Sequence, residues 1–153
     1  MSIEHTFEIA TDLAPADVAR LLKLRCCLLL NHREPCYVLF EEGIMCWVSR
    51  PSEARRELIE EQFGLETTVS VRCNPEGTDS LKRGMKAIGE IAAVLIDEEV
   101  GDFVFLVNGE SARLMCEDGE ITVDAHEEWW ISFWGRVLEE IDADYEVQPL
   151  PQL

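Results

Sequence analysis

A chain of 153 residues, 47% apolar and 29% charged, is long enough to bury one core without disulfides or a structural metal and too apolar to be disordered. Its 31 acidic against 13 basic groups give a net charge of −18, a field that repels phosphate backbones and anionic lipid heads, so neither nucleic acid nor a membrane is expected as partner. The excess is uneven: residues 101–153 hold 13 carboxylates and two cations, Arg113 and Arg136, which points to a docking surface for a basic macromolecule rather than to even solubilisation.

Ile3, His5, Phe7 and Ile9 alternate with polar residues and predict a half-buried strand over 2–9. Thr11 or Asp12 can cap the helix that follows, which has Pro15 near its first turn and Val18, Leu21 and Leu22 on one face. Cys26–Leu30 is compatible with a continued helix or a short strand, and Asn31–Pro35 reads as a loop. Cys36–Phe40 and Ile44–Ser49 flank Glu41-Glu42-Gly43 and predict a hairpin. Ser52 caps a helix carrying Ala54, Leu58, Ile59 and Phe63, and Gly64 stops it.

Thr67–Cys73 alternates again, with Val69, Val71 and Cys73 on one face, and Asn74–Thr78 reads as a turn. Leu81, Met85, Ile88, Ile91, Ala92 and Leu95 recur at helical spacing over 79–97. Gly84 and Gly89 each weaken that helix by about 1 kcal/mol relative to Ala and are expected where it packs closely on a sheet. Phe103–Val107, Ala112–Cys116 and Ile121–Val123 form a meander turned by Asn108-Gly109 and Asp118-Gly119. Residues 127–141 form an aromatic-faced helix, with Trp130, Phe133, Trp134, Val137, Leu138 and Ile141 on one side, and a short strand around Tyr145–Val147 follows. Strand, helix, hairpin, helix over 2–63 is echoed by strand, helix, meander, helix over 66–141. The expectation is one α+β domain over 1–153: an antiparallel sheet with helices on one face, a TATA-binding-protein-like saddle being one candidate topology.

Six cysteines, at 26, 27, 36, 46, 73 and 116, include no CxxC and no Cys–His pair at metal-ligand spacing. With no signal-peptide pattern at Met1 and no membrane-spanning run, this usage points to the reducing cytoplasm. No P-loop, GxGxxG, HExxH, GxSxG or EF-hand loop is present, and His5, His32 and His126 lie far apart, so no catalytic residue, metal or cofactor is expected. Two groups stand out as partner-binding candidates. Asp97, Glu98, Glu99 and Asp102 crowd the end of a helix, where carboxylates oppose the macrodipole by a few tenths of a kcal/mol. Glu127, Glu128 and Trp129 place an indole beside carboxylates, a composition that suits a protein interface. A rival reading makes Asp97, Glu99 and Asp102 the centre of a small carboxylate- or metal-dependent hydrolase, with calcium or magnesium as the candidate cation. A third makes the aromatic helix a homodimer interface.

Several strings, in their order and spacing, resemble the swarming-inhibition (Sit) immunity protein family of bacterial toxin systems. They are Ala10–Pro15 after the alternating strand, Leu58–Val71, Gly84-Met85 in the long helix, Gly101–Glu110, and the pair Phe133-Trp134. The resemblance covers about two thirds of the chain; residues 24–36 fall outside it, and 127–129 are not a family signature. It implies neutralisation of a cognate protein toxin, with no catalytic residues to carry over.

Overall fold

The computed structural model describes residues 3–26, 28–33, 36–75 and 81–153. In chain order the elements are β1 (His5–Ala10), α1 (Pro15–Cys26), β2 (Leu29–Arg33), β3 (Cys36–Glu41), β4 (Ile44–Ser49), α2 (Glu53–Phe63) and β5 (Val69–Pro75). They continue with α3 (Leu81–Asp97), β6 (Asp102–Val107), β7 (Ser111–Glu117), β8 (Glu120–Asp124), α4 (Glu128–Glu140) and β9 (Glu146–Gln148). The strands form one α+β sheet ordered β2-β3-β4-β5-β1-β6-β7-β8-β9. Every pairing is antiparallel except β8 with β9.

Local chemistry accounts for several of these boundaries. Ser52 Oγ accepts the Arg55 N–H at the start of α2, and Gly64, at φ 71°, closes it. Asn108-Gly109 (φ 53° and 71°) and Asp118-Gly119 (φ 51° and 79°) turn the meander with positive φ at both central residues, the geometry that matches strand twist. Not every local expectation holds: α1 starts at Pro15, too late for Thr11 or Asp12 to be its N-cap. Asn31, expected in a loop, lies in β2 opposite Val38, because pairing with β3 supplies the backbone bonds that its polar side chain does not advertise. Asn74 and Pro75, expected in a turn, extend β5 opposite Met45 and Ile44; the rest of that turn lies outside the described residues. The open choice at Cys26–Leu30 resolves as a helix ending at Cys26 and a strand starting at Leu29.

The echo of element order is not an echo of placement. The first meander, β2 to β4, runs from the sheet edge inward, whereas β6 to β8 runs from the centre outward. Helices α1, α3 and α4 share one face, where Phe7, Ile9, Phe103, Phe105 and Trp134 are fully buried. α2 lies on the other face, so the expectation of helices on one face only does not hold: the outward-facing Val104 and Leu106 of β6 need a cover of their own. Ile59 and Phe63 of α2 cover Val104 and Leu106 together with Leu150 of the closing segment. Beneath α2, Arg55 reaches from Glu8 (3.9 Å) to the Gly109 carbonyl (2.9 Å), and Ser70 Oγ donates to Glu8 (2.7 Å). Burial raises the Glu8 carboxyl above its ordinary range, against the opposing effects of Ser70 and Arg55. The α2 roof stops short of β2–β4, leaving Leu29 and Phe40 exposed and Met45 and Trp47 half-buried on that side, Trp47 under the Arg72 guanidinium at 5.1 Å.

A β-bulge shapes the edge. β6 residues Phe105 and Leu106 face Leu114 and Ala112, so Arg113 is the extra residue of β7. Leu114 then joins the larger core and Ala112 the smaller one, and Arg113 is released toward β8.

Candidate functional site

Strand register sorts the candidate residues onto two ends of the molecule. Ala10 pairs with Asp102 and Phe103 with Cys116, so Asp12, Asp97–Asp102 and Glu117–Glu120 gather at one end of the sheet. His5 pairs with Val107 at the other end, and Trp130 of α4 packs on His5 and Phe105 there. Ala143, just beyond α4, shares a depression with Leu95 of α3. Helices α3 and α4 therefore run parallel, and Glu127-Glu128-Trp129 stands opposite the Asp97–Asp102 group. No single compact surface contains both sets.

The first end is acidic by construction. One depression of about 500 Å³ is bordered by Asp12, Asp17, Glu98 and Glu99. A second, of about 560 Å³, is bordered by Glu99, Asp102, Asp118 and Asp144 over an apolar floor that includes Leu95 and Ile121. Glu99 is common to both, and neither lining contains a cation. Not every carboxylate is equally available. Arg25 of α1 bonds both Asp97 (2.9 Å) and Glu98, Arg20 pairs with Asp17 (3.2 Å), and Asp102 accepts the Asp118 N–H (2.9 Å). Glu99, Asp118 and Asp144 make no salt bridge among the described residues.

Both helices that end here do so against propensity. After α3, Glu99 (φ 48°) donates to the Ile96 carbonyl and Val100 to Leu95. After α4, Asp142 (φ 53°) donates to Glu139 and Ala143 to Leu138. These are paired Schellman bonds, whose left-handed residue is usually Gly, as at Gly64. A side chain there costs about 1 kcal/mol, and a negative one also faces the negative end of the helix dipole.

At the opposite end the chemistry divides. Glu127, an exposed side chain, accepts from Arg113 Nη2 (2.9 Å), while Arg113 Nη1 donates to the fully buried Asp124 (2.6 Å). Asp124 also accepts the Leu150 and His126 N–H groups and the His126 ring. Burial alone would raise the Asp124 carboxyl, but the Leu150 N–H, His126 and Arg113 together hold it below the ordinary range. Glu128 and Trp129 are exposed, Trp129 by 55% and stacked on Phe133 at 5.5 Å with rings 5° apart, whereas Trp130 and Trp134 fill the core.

The titratable groups show what the acidic end can do. Cys116 lines the second depression, where burial and then the Asp102 charge push its thiol up to about 11, so it is protonated at neutral pH and no nucleophile. His5 is buried in the core, which lowers it to about 4. Asp97 turns to Arg25 and is absent from the depression that Glu99 and Asp102 share, so the trio of the hydrolase reading is not assembled. Among the described residues no three His, Cys, Asp or Glu side chains come together as a metal site. No helix among them is long and apolar enough to cross a membrane. Sequence reasoning missed Asp12, Asp17, Asp118 and Asp144 as members of this end. Asp118 was read only as a turn former, and a turn signal carries no information on which other turns sit beside it.

A comparison with protein-family models finds a match to a family described as SitI3-like, over residues 3–134. That segment includes β1 to β8 and the first half of α4; Asp142 and Asp144 lie beyond it. The comparisons with curated proteins and with solved structures return no match. A match over most of the chain, on strings whose order already resembled a Sit immunity family, settles the kinship: the chain belongs to the SitI3-like family.

Proposed function

We propose that the chain is an immunity protein that neutralises a cognate bacterial toxin inside the producing cell by stoichiometric binding, with no reaction of its own, and that its acidic end is the docking face. One observation carries this reading: seven carboxylates border two adjoining depressions that meet at Glu99, with no cation in either lining. Family membership supports the immunity role. The placement of Glu99 and Asp142 supports a functional origin for the acidity, since both sit where fold stability alone favours glycine. A basic partner is steered to such an end, which raises association rates by roughly one to three decades at low salt. Where the toxin acts on nucleic acid, its cationic cleft is the natural complement of a surface that mimics phosphate. Asp97, Glu98, Glu99 and Asp102 are the contacts we assign to this face, joined by Asp118 and Asp144.

The test is co-expression with the toxin encoded beside this gene, together with titration of the purified pair. Wild type protects at one equivalent. A Glu99→Lys, Asp102→Lys, Asp118→Lys variant, checked as folded by circular dichroism, loses protection. Full protection by that variant removes the docking face from the proposal, and failure of wild type to protect removes the immunity role. Protection by a small fraction of an equivalent indicates turnover and restores the hydrolase reading.

A further inference from the structure

Parallel packing of α3 and α4 leaves a groove of about 740 Å³ along their outer side. Met85, Gly89, Ala93, Phe133, Val137 and Ile141 form its apolar lining. Trp129 stands at one end of it. The charges around the groove are unlike those of the rest of the molecule. In a chain of net −18, three cations, Lys82, Lys86 and Arg136, line it against two carboxylates, Glu90 and Glu140. Among the described residues none of the three cations forms a salt bridge.

The charges are also ordered along the groove. Lys82 and Lys86 lie in the N-terminal half of α3, Glu90 and Arg136 near the middle, and Glu140 at the C-terminal end of α4. A second groove laid across the first in the opposite direction sets lysines against Glu140 at both ends and places each Trp129 over the apolar wall of the other copy. That self-complementarity is what a two-fold interface requires, because every contact is made twice. We propose that the α3/α4 groove is the interface of a homodimer, two copies packing with their helix pairs antiparallel. The lining of the groove shares no residue with either acidic depression, so the proposal does not rest on the toxin reading.

Sedimentation velocity of the full chain across the micromolar range tests it. Wild type is expected as a dimer. Trp129→Ala, a change at an exposed side chain, is expected to weaken the dimer by ~30-fold or more. Two charge variants test the orientation: Lys82→Glu with Lys86→Glu, and Glu90→Lys with Glu140→Lys. Each is expected to be monomeric alone, and the two are expected to pair when mixed. A wild type that stays monomeric overturns the proposal. So does a dimer indifferent to Trp129→Ala, which would point to the unroofed sheet face at Leu29, Phe40 and Trp47. Charge variants that associate with themselves as readily as with each other overturn it too.

Discussion

At Glu99, stability and recognition are expected to pull in opposite directions. Its backbone is left-handed and its carboxylate closes a helix whose dipole it opposes, so Glu99→Gly relieves both strains. Urea unfolding should show a gain of about 1 kcal/mol, while protection against the toxin falls; a loss in both would mean that Glu99 is part of the scaffold. Asp124 is the converse, a carboxylate that the fold needs. Asp124→Asn leaves Arg113 facing a neutral side chain in a buried setting and should cost about 3 kcal/mol at pH 7, read by urea unfolding. Because its folded carboxyl is lowered, its contribution is complete above the ordinary carboxylate range and is lost as pH falls through the folded value. His5 adds a second acid-side loss at higher pH. Its folded value of about 4 against 6.5 means that the neutral ring stabilises fully above pH 6.5, and that about 3 kcal/mol drains away as pH falls toward 4. His5→Phe should flatten the stability profile between those pH values and leave the steeper loss below pH 4 unchanged.

At the scale of elements, the two helix glycines separate cleanly. A Cβ at Gly84 would lie 2.7 Å from the Cβ of the rigid Pro75 ring and 2.9 Å from the Gly43 backbone carbonyl, neither the end of a flexible side chain. Gly84→Ala should therefore destabilise by about 1–3 kcal/mol in spite of a helix-propensity gain of about 1 kcal/mol. At Gly89 the obstacle is a Val137 methyl at 3.0 Å, the end of a side chain on α4, so Gly89→Ala should be close to neutral. Thermal melts of the pair decide the contrast. Sequence reasoning expected both glycines to face a sheet; only Gly84 does, meeting Pro75 of β5 and the Gly43 turn between β3 and β4. The four helices and the Asn-Gly and Asp-Gly hairpins were legible because caps, turn chemistry and periodicity are written within a few residues of each other. β2, the parallel pairing of β9 and the Arg113 bulge were not, since each depends on a partner strand that local composition does not name.

For the molecule as a whole, charge distribution makes the most direct prediction. If the acidic end steers a basic toxin, the association rate should drop by at least tenfold as ionic strength rises from about 0.01 M to 1 M, while the dissociation rate changes little; over that range the Debye length shrinks from ~30 Å to ~3 Å. Stopped-flow mixing measures both, and a salt-independent association rate would count against steering. Taken alone, the amino-acid sequence determined the α+β class, the acidic excess of residues 101–153 and the kinship with Sit immunity proteins, because composition, periodicity and short motifs are properties of neighbours in the chain. Only the tertiary structure decided that Asp97–Asp102 joins Asp12, Asp118 and Asp144 at one end while Glu127, paired with Arg113, and Trp129 stand at the other. The reason is the order in which nine strands pair: adjacency across a sheet is set by long-range hydrogen bonding and burial, and a surface is made of residues that the chain itself keeps apart.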